Sequence, residues 1–159
     1  MAKNVLVAVF SASGVTKRVG EEIARNCGGD FFEIIPEEVY TSADLNWNNS
    51  SSRSSIEMND PSARPAIAGK VADMTDYDTV IIGFPIWWGI APRIIETFLE
   101  SYDFSGKTII PFCTSGGSGV GRSDTVLHKN VSSDVNWKKG VQINRPDSER
   151  IRKWLAEVL

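Results

Sequence analysis

From Val5 onward the chain alternates short apolar runs with stretches in which apolar residues recur at helical spacing. Val5 to Phe10 is an unbroken apolar run closed by Ser11-Ala12-Ser13-Gly14, which predicts a strand buried on both faces. Val15, Val19, Ile23 and Cys27 then recur at i+4 and stop at Gly28-Gly29, predicting an amphipathic helix with a glycine terminus. A second strand is expected at Phe31 to Ile35. Residues 36–76 break the rhythm. They hold Pro36, Pro61 and Pro65 and the polar cluster WNNSSSRSS, and read as an irregular excursion with one short helix near Ile67 to Met74. That polarity also suits a disordered surface loop, but Tyr40, Leu45, Trp47, Ile56 and Met58 are more apolar anchors than a free linker needs. Regular elements resume with a strand at Thr79 to Phe84. Pro92 then opens a helix with Ile94, Ile95, Phe98, Leu99 and Tyr102 on one side. Lys107 to Cys113 predicts a strand, Ser123 to Lys129 a short helix and Val141 to Asn144 a weak last strand. Ser148 to Leu159 predicts a final helix with Ile151, Trp154, Leu155 and Val158 on one face.

This order of elements gives an α/β fold, a doubly wound parallel sheet with helices on both faces. The length, 159 residues, is that of a single domain, 1–159. Such sheets bind ligands beyond the carboxyl ends of their strands, where strand order reverses. The loops after Phe10, Phe84 and Cys113 are therefore expected side by side. Composition removes several classes of partner. Seventeen Lys+Arg against 20 Asp+Glu leave a net charge of −3 and no basic stripe, which argues against nucleic acid. Two cysteines without metal-ligand spacing and a single histidine, His128, argue against a metal site. Cys113 reads as a small buried packing residue and His128 as a surface helix residue. No apolar stretch is long enough to insert in a membrane, and the opening MAKNVLVAVF is too short in its apolar part for a signal-peptide core. A cytoplasmic location is the expectation.

The three loops are each chemically unusual. In Ser11-Ala12-Ser13-Gly14-Val15-Thr16, three hydroxyls and a glycine stand where a helix begins and its amides are free, a setting for phosphate. Ser13 as a plain N-cap is the simpler alternative. A dinucleotide fingerprint is missing, since only one glycine follows the first strand, and Gly106-Lys107-Thr108 leads into a strand where a P-loop would lead into a helix. In Phe84-Pro85-Ile86-Trp87-Trp88-Gly89, a core stripe would hide one tryptophan and expose the other, and an exposed tryptophan is costly unless it covers a flat apolar partner. Both tryptophans packed in the core is the simpler alternative. Gly89 gives its peptide freedom to turn toward such a partner. In Thr114-Ser115-Gly116-Gly117-Ser118-Gly119, small residues let main-chain amides approach a planar edge, with an ordinary flexible turn as the alternative. A phosphate cradle, an aromatic plate and an amide-lined edge suit flavin mononucleotide (FMN). A simple mononucleotide suits them less, because no acidic ribose reader stands out.

These motifs, over essentially the whole chain, resemble the flavodoxin-like FMN proteins, and within them a small group carrying the PIWWG and TSGGSG motifs. The resemblance implies five parallel strands in the order 2-1-3-4-5 with FMN at their carboxyl ends. By position it implies that Ser11, Ser13, Gly14, Val15 and Thr16 hold the phosphate. Pro85, Ile86, Trp87, Trp88 and Gly89 would line the isoalloxazine, with Thr114, Ser115, Gly116, Gly117, Ser118 and Gly119 along its other edge. Val15 departs from the asparagine common in flavodoxins, and a charge of −3 is milder than that of shuttle flavodoxins. The function implied is redox transfer with a partner protein or a small-molecule electron acceptor. The tryptophan loop also resembles that of flavodoxin-fold quinone reductases fed by NAD(P)H. For these the excursion, with Tyr40, Trp47 and Arg53, would form a lid or a substrate pocket. A flavin-free binding module on the same fold is the third reading.

Overall fold

The structure, a computed structural model, describes residues 4–115 and 123–159. Its elements are β1 (Val5–Val9), α1 (Val15–Cys27), β2 (Asp30–Glu33), β3 (Ile35–Pro36), α2 (Arg53–Asn59) and β4 (Ile67–Ala68). There follow β5 (Thr79–Pro85), α3 (Arg93–Glu100), β6 (Thr108–Thr114), α4 (Ser123–His128), β7 (Asn136–Trp137), β8 (Val141–Gln142) and α5 (Ser148–Val158).

Side chains of a strand alternate between the faces of its sheet, and here both faces are covered. Val5, Val7 and Val9 join Ile81, Ile110 and Phe112 against Val19 and Ile23 of α1 and Ile151 and Leu155 of α5. On the opposite face Leu6, Ala8 and Phe10 join Val80, Ile82 and Phe84 against Ile94, Ile95, Phe98 and Leu99 of α3 and Leu127 of α4. The sheet is parallel with the order β2-β1-β5-β6-β7, and β8 also pairs with β6. That is the expected 2-1-3-4-5 order with its last position shared. β7 pairs with Thr108 and Ile109, and β8 with Phe112 and Cys113. The weak strand expected at Val141 to Asn144 is thus only half of that edge. Among the described residues, no helix is long and apolar enough to cross a membrane.

The excursion differs from expectation in one respect. Ile67 to Met74 is not helical: Ile67 and Ala68 pair antiparallel with Pro36 and Ile35, and only Met74–Asp76 forms a 3-10 turn. Backbone groups engaged in that ladder are unavailable to a helix, and Gly69 turns away at φ 78°. The helix of this region is α2, inside the polar cluster, where the Ser52 side chain accepts from the Ser55 N–H.

Two expectations follow from the packing. A methyl group on Gly83 would stand 2.1 Å from Cζ of Phe112, its cross-strand neighbour. Gly83→Ala is expected to lower stability by about 1–3 kcal/mol, read as a lower urea midpoint at unchanged slope. Glu22 joins α1 to α5. It accepts from Arg25 at 2.7 Å, from Asn26 at 2.6 Å and from the Ser148 hydroxyl at 2.7 Å. Arg25 first, then Ser148, hold its carboxyl down, from 4.5 to about 2. A depressed folded value means stability present above about pH 4.5 and lost as pH falls toward about 2. Glu22→Gln should flatten the decline of melting temperature across that interval.

Candidate functional site

Register brings the three loops together. Val9 pairs with Gly83 and Pro85 with Thr114, so β1, β5 and β6 end at neighbouring levels. The Phe10 N–H donates to Gly83 O at 3.0 Å and the Ile86 N–H to Thr114 O at 3.1 Å, carrying the ladder into the loops. The Thr16 and Thr114 hydroxyls, both on buried residues, meet at 2.7 Å and tie the start of α1 to the end of β6. Ser115 is held in both directions by Asn144, which accepts from its N–H at 2.8 Å and donates to its carbonyl at 2.9 Å. Of the third loop's expected site residues, Gly116, Gly117, Ser118 and Gly119 lie outside the described residues.

The first loop ends in an uncapped helix. Gly14, not Ser13, is the N-cap of α1, at φ 93°, and among the described residues no side chain caps the helix. A left-handed residue there favours glycine. Ser11 Oγ accepts from the Gly14 N–H at 2.9 Å, while Ser13 is exposed, Val15 partly buried and Thr16 buried. The first turn carries no acidic residue, and Lys17 pairs with Glu33 at 3.1 Å. Uncapped amides at the positive end of a helix dipole, with no carboxylate competing in that turn, are a seat for an anion.

The second loop is a tight hairpin. Trp87 N–H donates to Ile90 O at 2.8 Å and Ile90 N–H to Trp87 O at 3.2 Å. The two central residues, Trp88 and Gly89, have φ of 53° and 81°. Positive φ at both is the requirement of a type I′ turn, ordinary for Gly89 and strained for a tryptophan. The turn separates the two indoles. Trp87 packs edge-on against Phe10 and Tyr40, with ring centres 5.7 and 5.4 Å away, while Trp88 is 49% exposed.

Between these loops opens a cleft of about 530 Å³. Ala12 and Ser13 line it from the first loop and Pro85, Ile86, Trp87 and Trp88 from the second. Leu45, Trp47 and Ser54 line it from the excursion. Sequence reasoning singled out Leu45 only as an anchor and Trp47 as an anchor and, in the reductase reading, a residue of the lid or substrate pocket; it missed Ser54 and Asn144, which nothing in their local sequence distinguishes.

The excursion is held by charge and aromatic contacts. Tyr40 lies against Phe10 and Trp87, takes the Arg53 guanidinium over its ring at 3.9 Å, and donates its hydroxyl to Glu57. Burial first, then the Glu57 carboxylate, push the Tyr40 phenol well above its usual range. Arg93 and Glu96 of α3 are each 5% exposed and pair at 2.8 Å. Arg93 also donates to the Met58 carbonyl at 2.9 Å and the Glu57 carbonyl at 3.3 Å, satisfying the end of α2. Arg64 grips Glu100 at 2.9 Å and Glu96 at 3.2 Å. Among the described residues no cluster of His, Cys, Asp and Glu has the arrangement to hold a metal ion.

The family model for flavodoxin matches residues 4–158. The chain belongs to the flavodoxin family. This flavodoxin-family chain is similar to a candidate flavoprotein from Bacteroides eggerthii, at 53% identity over 98% of both chains with a TM-score of 0.93. A second candidate flavoprotein, from Bacteroides uniformis, is 46% identical over 98% of this chain and 99% of its own, with a TM-score of 0.92. A flavoprotein from Lactobacillus acidophilus solved in complex with FMN is 27% identical over 97% of this chain and 99% of its own, with a TM-score of 0.65. No curated protein matches the chain.

Arg93→Met removes the donors at the end of α2 and one partner of buried Glu96. It should destabilise the protein by roughly 2–4 kcal/mol, since Arg64 still compensates Glu96. Native-state proteolysis should cut first between residues 41 and 60.

Proposed function

We propose that the chain, acting as one domain over residues 1–159, binds FMN and works as an electron-transferring redox flavoprotein of the cytoplasm. The observation that carries this reading is the uncapped, left-handed start of α1 beside an apolar cleft flanked by tryptophans. The FMN carried by the similar Lactobacillus flavoprotein supports it.

In this reading Ser11, Ser13, Gly14, Val15 and Thr16 hold the phosphate with amides and hydroxyls, Val15 through its amide alone. Pro85, Ile86, Trp87, Trp88 and Gly89 line the ring. Thr114 and Ser115, continuing into Gly116, Gly117, Ser118 and Gly119, flank its other edge. FMN, when bound, supplies one- and two-electron transfer. The chain's part is to hold the ring, exclude water from it and set the charge it tolerates. An apolar wall disfavours added negative charge on a bound ring. Gly89, at positive φ, leaves the neighbouring peptide free to present a polar atom to it.

The redox partner is a second protein or a small electron acceptor. Among the described residues, the cleft lining includes no lysine or arginine. With the start of α1 taken by the FMN phosphate, a nicotinamide dinucleotide would need a further anion seat for its pyrophosphate, and no described lining residue is cationic, which favours the carrier over a reductase fed directly by NAD(P)H.

The phosphate role is tested by titrating the apo-protein with FMN and with riboflavin, which lacks the phosphate. FMN should bind roughly a hundredfold tighter, as expected for several charge-assisted hydrogen bonds. Equal affinities would remove the phosphate assignment, and uptake of neither would leave a flavin-free module. Reduction only through an added reductase, with no oxidation of NAD(P)H by the protein alone, is the expected carrier behaviour.

A further inference from the structure

The cleft has two walls of different origin. The sheet loops supply one, and Leu45, Trp47 and Ser54 of the excursion supply the other. Trp47 is 70% exposed and Trp88 49% exposed, and both line this one cleft. An indole left in water is unfavourable unless something flat comes to cover it.

Trp47 is placed there by a defined backbone. Thr41 and Asp44 exchange bonds, Asp44 Oδ2 accepting from the Thr41 N–H at 2.9 Å and Thr41 Oγ1 from the Asp44 N–H at 3.1 Å. On either side of Trp47, the Leu45 N–H donates to Thr41 O at 3.1 Å and the Asn48 N–H to Asn46 Oδ1 at 3.1 Å. The Ser54 N–H returns to Asp44 O at 2.9 Å, closing the segment on itself. A wall already ordered before a ligand arrives adds affinity without a further ordering cost. The second sign is that the excursion is docked onto the opposite wall: Tyr40 packs against Trp87 with ring centres 5.4 Å apart, and Arg53 and Glu57 hold Tyr40 from α2.

We infer that the excursion is the outer half of the flavin site, with Trp47 as a second aromatic plate over the ring. This deepens the FMN reading and rests on it. The excursion thereby shields the bound ring from solvent, and the ring contacts two segments far apart in sequence.

The test is a titration of the full-length apo-protein with FMN, following flavin fluorescence, for the wild type and for Trp47→Ala, Trp47→Phe and Ile56→Ala. Ile56 is exposed on α2 but does not line the cleft, so its variant is the matched control. Trp47→Ala should loosen FMN about tenfold and weaken the quenching, with Trp47→Phe retaining most of both and Ile56→Ala matching the wild type. Tight binding by the wild type with Trp47→Ala equal to it in affinity and quenching would overturn this inference alone. A wild type that takes no FMN would overturn the FMN reading and this inference with it.

Discussion

Hydrogen bonding among β1, β5 and β6 is the constraint on which the rest depends. These strands lie under helices on both faces, so each of their backbone amides and carbonyls must find its partner in the ladder. The register cannot slip by one residue either. A slip would turn Val5, Val7 and Val9 from the α1–α5 core into the α3–α4 core and exchange two sets of side chains already packed. Because the register is fixed, the ends of the strands are fixed, and the loops leaving them inherit positions set in the most buried part of the molecule. The Thr16–Thr114 bond then fastens the start of α1 to the end of β6. The candidate site borrows its rigidity from the sheet.

The excursion is ordered by other means. Its Ser and Asn residues form turns closed by their own side chains, with Asn46 and Asn49 accepting from the amides of Asn48 and Ser51. It is joined to the body by buried charge. Taking Arg93 and Glu96 out of water offsets much of their attraction, so their pairing adds little net stability. What it does is specify position. Arg93 reaches both Glu96 and the last carbonyls of α2, so α2 has one place against α3 where those groups are satisfied.

The parallel sheet and its burial on both faces were legible because unbroken apolar runs such as Val80 to Phe84 suit few structures other than buried strands, while the strand order came from the resemblance to flavodoxin-like proteins. The convergence of the loops followed from the same reading. The site's outer wall was legible only as a lid or substrate pocket with Tyr40, Trp47 and Arg53, and its order was not, because that order comes from side-chain to backbone bonds that no apolar period announces. A helix at Ile67 to Met74 was expected from a local pattern, but Pro36, distant in sequence, claimed Ile67 for a strand. The helix that does form lies among serines that, read alone, suggest a linker. Ser13 offered itself as a cap, yet Gly14 took the position, and among the described residues no side chain caps the helix in its place.

Tyr40 belongs to both halves of the molecule at once. Its ring touches Phe10 from the sheet and Trp87 from the hairpin, while Arg53 and Glu57 hold it from α2. Neither jaw of the cleft can therefore swing independently, because displacing the hairpin drags the phenol and the phenol drags α2. Whatever enters or leaves must do so through a mouth whose lips travel together, and one hydroxylated ring is the pin of that joint.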